Sequence, residues 1–78
     1  MRALSARERQ VILLVANGHT NASIAAHLGI HRVTVERHLR NTYGKLGARD
    51  RANAVAISLR HGEIGMGDIQ LPEQETAA

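Results

Sequence analysis

Apolar residues recur at spacings of three and four in four stretches of the chain, and residues that start or stop helices bound each stretch. Ser5 reads as the first N-cap. Glu8, three residues on, completes a capping box, and Leu4 is placed to staple onto the first turn. Val11, Leu14 and Val15 form the expected buried face; Ile12 is expected to be partly buried and Leu13 to fall outside the stripe. Asn17-Gly18 ends this helix, with Gly18 suited to the left-handed C-cap. Thr20 caps a second helix, Asn21 to Leu28, with Ile24, Ala25 and Leu28 inward. Gly29 stops it and Ile30 plugs the turn. His31 or Arg32 begins a longer third helix, spanning about residues 32–46.

In the third helix Val35, Leu39, the Thr42 methyl, Tyr43 and Leu46 share one face, and Glu36, Arg37 and Arg40 share the opposite one. A buried seam backed by an Arg-rich stripe suits a helix that reads a DNA groove, and equally suits any solvated surface helix. Asp50 caps a fourth helix, Arg51 to His61. There Ala54, Val55, Ser58 and Leu59 form one stripe, and Ala52, Ala56 and Leu59 extend it sideways. Gly62 closes this helix. Residues 63–78 hold Gly65, Gly67, Pro72 and scattered acids without a sustained period. They are expected to be largely disordered from about residue 65, with Ile64 tucked against the core. The pattern predicts an all-α fold: a compact four-helix domain over 1–62 with a flexible acidic C-terminal tail over 63–78. A helix of about eight residues, a Gly-containing turn and a longer helix have the helix-turn-helix layout, though a generic helical hairpin has the same spacing.

Composition narrows the classes. Seventy-eight residues make one domain with a modest core. With one aromatic residue, Tyr43, that core must come from Leu, Ile, Val and Ala. The absence of cysteine excludes disulfides, thiolate metal sites and thiol nucleophiles, and fits a reducing cytoplasm. No apolar run is long enough to span a membrane, and no secretory leader pattern is present. The first helix pattern begins at residue 5, which leaves no room ahead of it in this sequence for a sensor domain. The chain is expected to be either a free-standing module or a piece of a longer regulator. The net charge of +3 conceals an asymmetry. Residues 1–62 carry all ten basic residues against three acidic ones, a net of +7, while 63–78 carry four acids and no base, a net of −4. A basic body favours a polyanionic partner.

Other candidate chemistry is weak. His27 and His31 are four apart, but Gly29-Ile30 breaks the helix between them, and no cysteine or carboxylate pair stands near; no metal site is expected. His38 lies on the seam of the third helix and reads as a hydrogen-bonded structural residue. His61 suits a helix C-terminus. Glu8 between Arg7 and Arg9 has no second titratable partner in sequence, and capping explains it. No phosphate-binding glycine loop, catalytic triad or cofactor fingerprint is present, so no enzyme, cofactor or small-molecule ligand is expected.

Several fragments, in order and without a gap, carry a resemblance. They are Leu4-Ser5-Ala6-Arg7-Glu8-Arg9-Gln10-Val11, Ala16-Asn17-Gly18, Thr20-Asn21 with Ile24-Ala25, Leu28-Gly29-Ile30, Thr34-Val35 with His38-Leu39, Lys45-Leu46-Gly47-Ala48-Arg49-Asp50-Arg51 and Ala54-Val55-Ala56. From Leu4 to about Gly62 the chain resembles the LuxR/FixJ-type (GerE-like) helix-turn-helix DNA-binding domain. The resemblance implies a four-helix output module of bacterial transcription regulators. Its third helix would enter the major groove and its fourth would form a two-fold dimer contact. By position it implies base contacts from Glu36, Arg37 and Arg40. Arg can donate two hydrogen bonds to guanine and Glu can accept from cytosine. Thr34 at the helix start and Lys45 near its end would meet phosphates, with Arg32 and Asn21 as further phosphate contacts. Ala52, Val55, Ala56 and Leu59 would form the dimer surface.

The chain departs from the family pattern at four positions. Ala22 and Val33 stand where the family often has a basic residue on phosphate, His31 where a Ser-like cap is usual, and Thr42 where a larger aliphatic residue is usual. Arg32 is expected to take over the charge missing at position 33. The expected partners are double-stranded DNA, a second copy of the chain and, for a transcription regulator, RNA polymerase; no membrane partner is expected. Two alternatives stay open. One is a module like region 4 of a sigma factor, against which the helix after the reading helix argues. The other is a protein-binding adaptor or antagonist that keeps the fold, suggested by the missing basic residues and by a tail that could cover the basic face.

Overall fold

The computed structural model describes residues 3–72. Four helices follow one another: α1 Ala6–Ala16, α2 Asn21–Leu28, α3 Arg32–Leu46 and α4 Arg51–Arg60, with a short 3-10 turn at Met66–Asp68. No strand is present among the described residues. The caps anticipated from sequence set these boundaries. Ser5 Oγ accepts from the Glu8 amide at 3.1 Å while the Ser5 amide donates to Glu8 Oε1 at 2.8 Å. Thr20 and Asp50 cap α2 and α4 through the amides of Ser23 and Asn53. His31 starts α3 with no side-chain cap. The α2–α3 turn passes through Gly29 at φ 67°, which glycine adopts without a Cβ penalty, and the Ile30 amide returns to the Ala25 carbonyl at 3.0 Å.

Helix α3 lies at the centre and packs against α1, α2 and α4. Val11, Ile12, Ile24, Val35 and Ala54 are fully buried around it, with Leu4, Val15, Leu39, Leu46 and Ile64 closing the core. Three burial expectations for α1 are corrected. Ile12 is fully buried and Leu14 only half-buried. Because α1 packs against α2, α3 and α4 together, its buried arc is broader than a single-neighbour stripe and rotated toward Ile12. Leu13, expected outside, is half-buried against the core. Thr42 fits inside because its hydroxyl donates to the His38 carbonyl at 2.7 Å. His38 itself is half-buried and shows no side-chain hydrogen bond among the described residues, so its expected bonded role is not seen.

The segment after α4 also needs correction. In place of the disorder that the sequence predicts from about residue 65, residues 63–70 follow a defined path along α1. Ile64 is buried, as expected, and Glu63 meets Arg9 at 3.3 Å. The Asn17 side chain then clasps the backbone: its Nδ2 donates to the Asp68 carbonyl at 3.2 Å and its Oδ1 accepts from the Gln70 amide at 2.6 Å. One amide satisfying two backbone groups anchors the end of the 3-10 turn there. What was expected of residues 73–78 lies outside the described residues.

Candidate nucleic-acid interface

The outer face of α3 carries Glu36, Arg37 and Arg40, all exposed, as their helical register predicts. Among the described residues neither arginine has an ion-pair partner. Arg32, one turn before Glu36, approaches its carboxylate to 3.8 Å with both side chains largely in solvent. This loose contact offsets part of the negative charge that Glu36 brings to an otherwise basic stripe. Val33 extends the stripe at its N-terminal end and is 72% exposed. Thr34 is half-buried behind it. With no side-chain cap from His31, the Arg32 and Val33 amides depend on solvent or a ligand for an acceptor, while the Thr34 amide donates to the His31 carbonyl at 3.0 Å.

Asn21, Arg32 and Thr20 come together with Arg51 and His19 around one surface concavity, where the starts of α2, α3 and α4 converge. Sequence reasoning missed Arg51. Its guanidinium donates to Asn21 Oδ1 at 2.7 Å and to the His19 carbonyl, tying α4 to the turn ahead of α2. A faint signal was available: an arginine in the first turn of a helix opposes the helix dipole, so an external acceptor is expected to hold it. The bond engages Asn21 Oδ1 and leaves its NH2 without a hydrogen-bond partner among the described residues.

Lys45 is the predicted phosphate contact that the structure engages elsewhere. Its ammonium lies 2.6 Å from Glu8 Oε1, and the side chain is only 22% exposed. The expectation that Glu8 lacks a titratable partner is therefore corrected: the partner is 37 residues away in sequence and one packing distance away in space. Burial pushes the Glu8 carboxyl up, but hydrogen bonds from Lys45 and Ser5 and the Lys45 charge outweigh it and hold its pKa below the ordinary value.

On α4, Ala52 and Ala56 are exposed and Val55 and Leu59 half-buried, so the stripe predicted for a dimer remains open to solvent. It continues onto Val15 and Ala16 of α1 as a shallow, mainly apolar depression. His27 meets His19 edge-on, with ring centroids 5.8 Å apart. No described helix is long and apolar enough to cross a membrane.

Comparison with known proteins places this architecture. Residues 2–58 match the family described as bacterial regulatory proteins, luxR family. The chain is 53% identical over 57 residues to the probable transcriptional regulatory protein SgaR of Hyphomicrobium methylovorum, covering 73% of this chain and 27% of that one. It is 46% identical over 61 residues to the HTH-type transcriptional activator RamA of Corynebacterium glutamicum, covering 78% of this chain and 22% of that one. In structure it resembles the response regulator ChrA of a heme-sensing two-component system. The TM-score is 0.78 and the identity 36%, over 82% of this chain and 32% of that one. The chain thus spans about a fifth to a third of the length of these relatives. Over that span the family match, the sequence identities and the shared fold agree, and the chain belongs to the luxR family of bacterial regulatory proteins as a helix-turn-helix domain.

Proposed function

We propose that this chain binds double-stranded DNA sequence-specifically in transcription regulation, with α3 in the major groove, as a homodimer joined through α4. The observation that carries this reading is the exposed stripe of Arg37 and Arg40, without ion-pair partners among the described residues, on the helix that follows the turn. Arginine matches the O6 and N7 acceptors of guanine with two hydrogen bonds, and Glu36 accepts from cytosine N4. Thr34, Arg32, Asn21 and the free amides at the starts of α2 and α3 fix the register on phosphates. Lys45 is left out of this set because its ammonium serves Glu8.

The dimer contact is assigned to Ala52, Val55, Ala56 and Leu59. Small residues permit close helix approach, and the adjoining apolar surface of Val15 and Ala16 widens the patch. Two copies related by a two-fold axis require an inverted repeat, with half-sites about one helical turn, roughly 34 Å, apart. Selection of bound duplexes from a random pool tests the whole reading. An enriched inverted repeat is expected. Weak, strongly salt-dependent binding with no enriched sequence would overturn it and favour a protein-binding adaptor on the same fold.

A further inference from the structure

We propose that Val33 is a specificity residue that receives the C5-methyl group of one thymine in each half-site. The inference rests on the placement of α3 in the major groove argued above. Val33 is a large apolar residue left 72% exposed on an otherwise polar helix face, so the fold makes little use of it. It stands at i, i+3, i+4 and i+7 with Glu36, Arg37 and Arg40, on the same stripe. As the second residue of α3 it occupies the end of a recognition helix that comes nearest to base edges.

Its chemistry selects the ligand. A valine has no donor for phosphate, and its short branched side chain holds two methyl groups in a nearly fixed direction. The major-groove edges of the four bases present donors and acceptors and one apolar group, the thymine methyl. Against any other edge, Val33 would strip water from a polar group and give nothing back. The same side chain therefore favours thymine and disfavours the alternatives. At 1.5 Å per residue, Val33 and Arg40 stand about 10 Å apart along the helix, roughly three base steps. The thymine is thus expected at the opposite end of the half-site from the base that Arg40 reads.

The test replaces each thymine of the selected duplex in turn by uracil, which lacks only that methyl group. The wild-type chain and Val33→Ala are compared on every duplex. One uracil per half-site should weaken the wild type about three- to fivefold, the worth of one buried methyl group, and weaken Val33→Ala less than about twofold. Because position 33 is exposed, the alanine variant should keep the wild-type melting temperature. A selected half-site without thymine, no sensitive position, or equal sensitivity in both proteins would overturn the assignment and leave α3 as the reading helix. Failure to select any sequence would overturn both.

Discussion

The outer face and the last turn of α3 use charge in opposite ways. Near its C-terminus Lys45 is turned inward onto Glu8, which also accepts from the Ser5 amide, so one carboxylate ties the start of α1 to the end of α3. Along its outer face Arg37 and Arg40 lie in water without ion-pair partners among the described residues, and Arg32 reaches Glu36 only loosely. Sequence pattern alone treats these cations alike. Burial and partnership separate them: a paired, half-buried cation holds the fold together, whereas an unpaired exposed one adds little to stability and remains free to meet a polyanion. A basic helix is therefore not uniformly a binding surface, and mutating its outer face and its last turn should give different phenotypes.

The largest expected effect breaks the outer face. Arg37→Ala with Arg40→Ala should lower affinity for the selected duplex about a hundredfold or more, at roughly 1–3 kcal/mol for each lost base contact, and leave the thermal midpoint unchanged. Filter binding alongside calorimetry checks this, and a large loss of stability would erase the contrast.

The next effect breaks the last turn. Lys45→Met keeps much of the side-chain volume but leaves the Glu8 carboxylate without its charge partner, and should cost about 2 kcal/mol in urea denaturation. The pH dependence sharpens this. The Glu8 pKa is lowered in the folded chain, so its contribution is present above the ordinary carboxylate range and disappears as pH falls through and below it. The melting-temperature gap between wild type and Glu8→Gln should thus narrow on acidification; a constant gap would point to packing in place of charge.

Smaller effects fall elsewhere on α3 and on the helix behind it. Gly44 is exposed within α3, and a Cβ there meets nothing within 4 Å. Gly44→Ala should stabilise the domain by about 0.5–1 kcal/mol through helix propensity alone. Ser58 is fully buried, and among the described residues its hydroxyl has no partner. Ser58→Ala should be neutral or raise stability by up to about 1 kcal/mol, the reverse of the loss expected at Glu8, which is bonded. Urea denaturation measures both.

What the sequence made legible follows the same division. Helix boundaries came through within about a residue because caps act locally: Ser5, Thr20 and Asp50 each bond an amide three residues away. The outer stripe of α3 was equally legible, since register alone places Glu36, Arg37 and Arg40 together. Pairings set by tertiary packing were not. Glu8 with Lys45, Asn21 with Arg51 and Asn17 with Gln70 join residues 37, 30 and 53 apart, and no local pattern marks them. Ile12 was misjudged for a related reason, because burial on α1 depends on three neighbouring helices.

The claim that the exposed face of α3 reads base edges is tested most directly by replacing guanines of the selected duplex with 7-deazaguanine, which removes the N7 acceptor from the major groove and leaves the minor groove intact. Binding should weaken at one or two guanines per half-site in the wild-type chain, and the effect should vanish when Arg37 and Arg40 are alanine. Equal binding to both duplexes by the wild-type chain would contradict the account.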